Sequence, residues 1–248
     1  VTEPHREPEP SSTLRVMFAL LLPLFAALMS ISSVMVALPA IADGLGASDS
    51  DLQWVLSGYA LAFGVGLVPA GRAGDIWGRR RIFLTGVIIF GVASLAAVFS
   101  PTPLLLNALR VVMGLGASML VPQIIGMIQR LFTGSARGRA YGLMSTVIGL
   151  AVAVGPLIGG RLIDLTDHQD AWRLVFLVNV PVVAAGLVFA ILWLPKPHDD
   201  DLVPARAVGG LSGLARLDPI GAALLTVAIV LVLLPFIQFA NLFGVGLA

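Results

Sequence analysis

Long uncharged stretches alternate with short charged segments along the whole chain. Seven runs contain no Asp, Glu, Lys or Arg: residues 16–42, 52–71, 82–109, 111–129, 140–160, 174–195 and 219–248. About 20 apolar residues in an α-helix are enough to cross the hydrocarbon core of a bilayer. The run 82–109 is too long for one crossing, and the turn-forming sequence SPTP at 100–103 divides it. The pattern predicts an all-α polytopic membrane protein with spans at about 15–40, 52–71, 82–100, 103–129, 139–163, 172–194 and 217–241.

Composition supports a membrane protein and excludes several other classes. The chain is 58% hydrophobic and 12% charged, about half the charged fraction of a soluble domain. It contains no cysteine, so disulfides and thiolate metal sites are excluded. The net charge of +1 is not gathered on a soluble face and gives no reason to expect nucleic acid. Residues 40–42 resemble a signal-peptide cleavage site, but the apolar run before them is longer than a signal peptide needs.

The basic residues lie mostly on one side of the predicted spans. Twelve of the fifteen fall in the N-terminal tail and the even-to-odd connections: Arg6, Arg15, Arg72, Arg79, Arg80, Arg81, Arg130, Arg137, Arg139, Lys196, Arg206 and Arg216. The opposite connections, at 42–51, 100–103 and 164–171, contain Asp but no Lys or Arg. The positive-inside rule therefore predicts a cytoplasmic N-terminus. Residues 1–14, rich in Pro, Glu and Ser, are predicted to be a disordered cytoplasmic tail, and 195–216 a cytoplasmic linker.

The segment GRAGDIWGRRR at 71–81 concentrates charge between two apolar spans. A cluster that only fixes topology would explain Arg79, Arg80 and Arg81, which would then be interchangeable. It would not explain Asp75 or three glycines, which favour a tight turn and close helix approach. A nucleotide-binding glycine loop is rejected because no strand precedes the segment.

Arg110 is the one charged residue predicted to lie well inside a span and not near its end. It stands seven residues after Pro103, roughly 10 Å into the membrane at 1.5 Å per residue. Such a charge needs a partner or a polar cavity, although an arginine at this depth could also snorkel to the surface. Asn107, one turn away, could share its polar face. Ser30 is predicted at a similar depth on the first span, so Ser30 and Arg110 are expected to face one polar cavity.

Three motifs resemble those of the major facilitator superfamily of secondary transporters. Gly71, Asp75, Gly78, Arg79 and Arg80 match the signature loop between spans 2 and 3, with Ile76 where that family often has Arg. The resemblance implies a cytoplasmic gate in which the Asp caps a neighbouring helix and pairs with arginines. Span 4 is similar to the family pattern at Arg110, Gly114, Gly116 and Pro122.

Span 5 resembles the antiporter signature of the same superfamily. The matching residues are Gly149, Gly155, Pro156, Gly159 and Gly160. Two of the glycines, Gly155 and Gly159, also form a small-xxx-small pattern suited to close helix packing, which is the simpler interpretation. The whole chain looks like the fourteen-span drug:H⁺ antiporter branch. That resemblance implies no enzymatic activity and no cofactor. It implies efflux of a small, lipophilic compound in exchange for protons, from the cell (inner) membrane, by alternating access.

Two departures from that branch change the expectation. The span-1 position where relatives place an acid is Ser30, so proton coupling in this half lacks its usual carboxylate. The family fold also uses two six-helix bundles with the site between them. Here only one bundle, 15–194, and a seventh span in 217–248 are expected, with the C-terminal bundle absent. The alternative hypothesis is a non-transporting remnant or a half-transporter that needs a partner chain.

Overall fold

The computed structural model describes residues 10–165 and 170–195, together with residues 221, 227 and 228. In the two long described segments the chain forms eight α-helices and no strand: α1 Pro10–Leu45, α2 Asp49–Trp77, α3 Arg79–Val98, α4 Pro103–Ser118, α5 Val121–Leu131, α6 Gly134–Asp164, α7 Trp172–Leu177 and α8 Asn179–Trp193. They build six apolar spans, with α4 and α5 forming the fourth and α7 and α8 the sixth. Residues 1–9, nearly all of the 195–216 linker and all but three residues of the predicted seventh span lie outside the described residues.

The connections are shorter than the sequence predicts. Residues 10–14, predicted to be disordered, already belong to α1. The predicted loop at 71–81 is also wrong, because Gly71 and Asp75 lie inside α2 and only Gly78 separates α2 from α3. Gly78 has φ 94°, a left-handed conformation that favours glycine, so one residue is enough to reverse the chain. The charged residues predicted in the loop therefore lie in the last turns of α2 or the first turn of α3.

Proline divides two of the spans into separate helices. α4 ends at Ser118, four residues before Pro122, and α7 ends at Leu177, four residues before Pro181. A proline lacks the N–H that would bond to the carbonyl of the residue four positions before it, and its ring clashes with that carbonyl. Spans 4 and 6 are therefore broken, whereas α6 continues through Pro156.

The six spans pack as a bundle in which α1 is a central element. α1 lies against α6 on one side and α8 on the other, while α4 packs between α2 and α3. The most apolar window of span 1 is 67% buried, against 22% for span 5. The exposed part of span 5 carries apolar side chains such as Leu150 and Leu157. Large apolar side chains on an exposed face are expected for a helix in contact with lipid or another apolar helix.

Candidate functional site

The up-and-down order of the spans gathers the charges at two ends of the bundle. We call the end that carries the turns near Arg79 and Arg137 the basic side. The opposite end, which carries the turns near Asp49 and Asp170, is the acidic side. α1, α3 and α6 run from the basic to the acidic side, and α2 and span 4 run in the reverse direction. The candidate sites are described from the acidic side to the basic side.

Arg110 lies in a closed polar cluster between α4, α2 and α1. Its Nε donates to the Val55 carbonyl at 2.9 Å, and Nη1 donates to the Ser30 hydroxyl at 3.4 Å. The guanidinium carbon stands 4.3 Å from the centre of the Tyr59 ring, a cation–π arrangement. The Tyr59 hydroxyl donates in turn to the Ala27 carbonyl at 3.1 Å. Arg110 and Ser30 are therefore in direct contact, and their contact draws in Tyr59.

The cluster is enclosed and its positive charge is not compensated. Arg110 and Ser30 are both 0% exposed, so within the described residues Arg110 does not snorkel to the surface and the polar cluster that it forms with Ser30 is closed. Within those residues Nη2 of Arg110 has no hydrogen-bond partner, and no carboxylate pairs with the guanidinium. A buried arginine without a counter-ion costs several kcal/mol. The cation is held by a carbonyl, a hydroxyl and a ring face, all of them neutral.

Two amides extend this contact along α2. Asn107, half-buried, donates to the Asp51 carbonyl at 3.2 Å, one turn of α2 away from the carbonyl that Arg110 binds. Gln123, fully buried on α5, donates to the Ala70 carbonyl at 2.6 Å. Gln123 is not among the sequence predictions. Its signal was an amide placed directly after Pro122 in an otherwise apolar run. Three polar side chains of span 4 thus bind α2 across most of the membrane.

The gate motif forms an ion pair that spans the break at Gly78. Arg79 donates to the Asp75 carboxylate at 2.6 Å and to the Pro122 carbonyl at 3.1 Å. A Cβ added at Gly126 would overlap the Arg79 guanidinium, so glycine at that position makes room for the arginine. Arg79 therefore ties the end of α2 and the start of α3 to α5 on the basic side. Within the described residues, no helix is capped by the Asp75 side chain.

The three neighbouring arginines are not interchangeable. Arg80 donates to the Ile191 carbonyl at 2.9 Å, in the last turn of α8, where carbonyls have no partner within the helix. Arg81 is exposed. Arg79 and Arg80 therefore bind two different spans, which a uniform positive cluster at 79–81 does not predict. Arg137 acts similarly on α5, where it donates to the Gln129 and Phe132 carbonyls.

The glycine motif of α6 faces α1 with two of its four glycines. A Cβ at Gly155 would overlap the Ser32 hydroxyl and lie 2.9 Å from the Met29 carbonyl. A Cβ at Gly159 would lie 2.8 Å from the Ser33 carbonyl. Gly160 is looser, at 3.9 Å from Val36, and Gly149 has nothing within 4 Å. Gly155 and Gly159 therefore serve close packing, and Gly149 is open on an exposed face.

The bundle has six apolar spans, a buried arginine and a one-residue break after span 2 with charged residues on both sides of it. This is the architecture of half of a secondary transporter. The family model described as Major Facilitator Superfamily matches residues 20–248. The chain therefore belongs to this superfamily.

Two curated relatives are similar to the chain in sequence. The chain is 36% identical over 203 residues to the "Probable actinorhodin transporter" of Streptomyces coelicolor, covering 82% of this chain and 33% of that protein. It is 42% identical over 156 residues to the puromycin resistance protein pur8 of Streptomyces alboniger, covering 62% of this chain and 30% of that protein. The chain spans about a third of the length of these relatives.

The fold is also that of a solved peptide transporter, POT in complex with sulfate. The superposition covers 99% of this chain and 52% of that one, with a TM-score of 0.66 and 17% sequence identity. At this identity the likeness concerns the fold alone.

Proposed function

We propose that the protein serves secondary active export of small organic compounds in exchange for protons. The observation that carries the proposal is the Arg110 cluster: a desolvated cation with an unused N–H, held between three spans. Structural side chains in a membrane are ordinarily neutral or paired, and an intramembrane charge is by default a functional group. The names of the relatives, one a transporter and one a resistance protein, favour export of small compounds.

The proposed mechanism uses two sets of contacts between spans, one at Arg79 on the basic side and one at Arg110. The ion pair of Asp75 and Arg79, with its bond to the Pro122 carbonyl, holds the basic side of spans 2, 3 and 4 together. Breaking and remaking that contact would accompany the rocking of one bundle against another. The unused N–H of Arg110 would bind an anionic group brought by the substrate or by another part of the transporter. Ser30 does not supply that anionic group, because a serine hydroxyl does not ionise at physiological pH.

We further propose that the basic side faces the cytoplasm. The support is the twelve-to-zero distribution of Lys and Arg between the two sets of connections. Reporter fusions provide the test: one at Gly134 should be active as a cytoplasmic reporter and one at Ser48 as an external reporter. A cytoplasmic signal at Ser48 would overturn the orientation.

The export proposal can be tested in a bacterial strain that lacks its own drug exporters. Cells producing the protein should tolerate more puromycin, and everted vesicles should take up ethidium when a pH gradient is imposed. Asp75→Asn and Arg110→Met should abolish both effects while the protein stays in the membrane at normal level. Arg81→Gln is the matched control, because it removes an exposed charge on the basic side, and it should leave export unchanged. Unchanged export in Asp75→Asn would contradict the gating role.

The second candidate is a bundle that transports nothing without a partner. The observation that favours it is the open face of α6, where Gly138, Gly142 and Gly149 have nothing within 4 Å. These glycines lie within about 40° of each other around the helix at 100° per residue, so another helix could approach closely there. Absence of any export by the well-inserted protein, with recovery when a second bundle is co-produced, would favour this candidate over the first.

A further inference from the structure

A groove opens between α1, α6 and α8 on the basic side of the bundle. Its volume is about 650 Å³, and its walls include Phe18 and Phe25 of α1, Leu143 and Val147 of α6, and Trp193 of α8. α6 and α8 both pack along α1, and the short helix α7 bridges towards α6 near the acidic side. The residues that line the groove therefore lie in the basic-side half of the bundle.

The groove is separate from the Arg110 cluster. At 100° per residue, Phe18 and Phe25 lie roughly 160–180° around α1 from Ala27, whose carbonyl accepts the Tyr59 hydroxyl. One face of α1 thus carries the polar cluster, and the opposite face forms the floor of the groove. A compound in this groove would not touch Arg110.

One wall of the groove is aromatic. The rings of Phe189 and Trp193 stack with centroids 4.5 Å apart, and the Phe18 ring stands 5.5 Å from Phe189. Tryptophan is enriched where the hydrocarbon core meets the headgroups. Trp193 therefore marks the depth of the basic-side headgroup region at the mouth of the groove. The interior beyond it is hydrocarbon in character.

Arg15 is the charged residue that lines the groove. It is exposed, and no carboxylate of the described residues pairs with it. Arg139 stands one turn before Leu143 on the same face of α6 and is also exposed. The Arg15 guanidinium thus lines the apolar groove, and Arg139, whose Nη1 donates to the Ser135 hydroxyl at 3.5 Å, lies one helical turn beyond the groove on the basic side. Basic pockets between spans, at the level of the headgroups, favour anionic lipid.

We propose that this groove binds one anionic phospholipid from the leaflet on the basic side. An acyl chain fills the apolar interior, and the phosphate lies against Arg15 and Arg139. A soluble anion would find no polar group inside the groove, and a lipophilic cation would meet two positive charges near its mouth. A zwitterionic lipid could place the same acyl chain but would gain less from the two arginines.

The test uses the purified, delipidated chain in detergent and two lipids with identical acyl chains. Each lipid, phosphatidylglycerol or phosphatidylcholine, carries a photoreactive diazirine in its acyl chain, and adducts are mapped by mass spectrometry. Phosphatidylglycerol should saturate at one adduct per chain, with labels on the groove residues of α1 and α6. Its apparent affinity should exceed that of phosphatidylcholine about fivefold or more, the factor expected for each arginine near the surface.

Two variants separate this site from general attraction to a basic surface. Arg15→Gln should lower the preference for phosphatidylglycerol about fivefold, the factor expected for one arginine, and leave phosphatidylcholine labelling unchanged. Arg81→Gln removes an equally exposed charge away from the groove and should keep the preference. Leu143→Trp should fill the groove and lower labelling by both lipids.

Three results would overturn the proposal. Equal losses in Arg15→Gln and Arg81→Gln would mean bulk electrostatics. Labels spread evenly over all spans would mean ordinary solvation by lipid. Absence of groove labelling by either lipid would mean that another segment of the chain covers the groove. Glycerol phosphate alone should not compete, because the apolar interior binds the acyl chain.

Discussion

Two interfaces between parallel helices cross the bundle, and they are built in different ways. The polar interface joins α2 to α4 and α5, and there Asn107, Arg110 and Gln123 donate to carbonyls of α2. The glycine interface joins α1 to α6, where Gly155 and Gly159 let the two backbones approach. The polar interface depends on long polar side chains, and the glycine interface depends on the absence of a side chain at Gly155 and Gly159.

This difference determines what each interface tolerates. The carbonyls bound in the polar interface lie inside α2 and also belong to its own hydrogen-bond ladder, so removing one donor does not orphan them. In the glycine interface an added methyl group meets backbone, which no rotamer change relieves. We therefore expect additions to α6 to be costly and many deletions on span 4 to be mild.

The largest effect is expected for Gly159→Ala. Its Cβ would lie 2.8 Å from the Ser33 carbonyl, so α1 and α6 would have to separate. The free energy of unfolding, measured by titration with SDS, should fall by about 1–3 kcal/mol, as for other overpacked cores. Gly149→Ala is the matched control on the same helix, with nothing within 4 Å. It should be neutral or stabilise by up to about 1 kcal/mol from helix propensity. Equal losses in the two variants would show that the packing contact is irrelevant.

A smaller effect is expected at Gly74 in the polar interface, and it should be coupled to the effect of changing Gln123. A Cβ at Gly74 would overlap the Gln123 side chain, which is flexible and can be shortened. Gly74→Ala alone should cost about 1–2 kcal/mol, and much less in a Gln123→Ala background. A double-mutant cycle should give a coupling energy above about 0.5 kcal/mol, the range for residues in contact. Additive effects would mean that the two residues do not meet.

The arginines after Gly78 should differ in a fixed order. Arg79→Gln breaks the bond to the Pro122 carbonyl and the ion pair with Asp75, and we expect a loss of about 1 kcal/mol. Arg80→Gln, which leaves the Ile191 carbonyl without its donor, should cost somewhat less. Arg81→Gln should stay within about 0.5 kcal/mol of the wild type, as for other surface substitutions. Equal effects at all three positions in the same unfolding assay would restore the uniform-cluster interpretation.

The sequence was most informative where a property adds up over many residues. Six uncharged runs predict the six described spans, because the thickness of the bilayer sets the same minimum length for each of them. The breaks in spans 4 and 6 follow from Pro122 and Pro181 but were not predicted, since prolines such as Pro69 and Pro156 leave their helices continuous. Which outcome a proline produces depends on whether neighbouring helices support the backbone.

The sequence predicted that Arg110 and Ser30 face each other, but it did not predict the other contacts of Arg110. Depth along two helices brought Ser30 and Arg110 to the same level, because rise per residue is constant. Rotation about each helix decides what a side chain meets, and small errors there exchange one partner for another. The Val55 carbonyl and the Tyr59 ring were therefore not foreseen. Nor was the contact of Gln123 with α2.

We propose that Arg110 serves function at a cost in stability. The most direct test is the SDS-unfolding free energy of the Arg110→Met variant. Methionine fills a similar volume, the Val55 carbonyl keeps its helical partner, and an uncompensated buried cation is removed. We expect the variant to be as stable as the wild type or up to a few kcal/mol more stable. A loss of about 3–5 kcal/mol, the cost of breaking a structural buried ion contact, would contradict it.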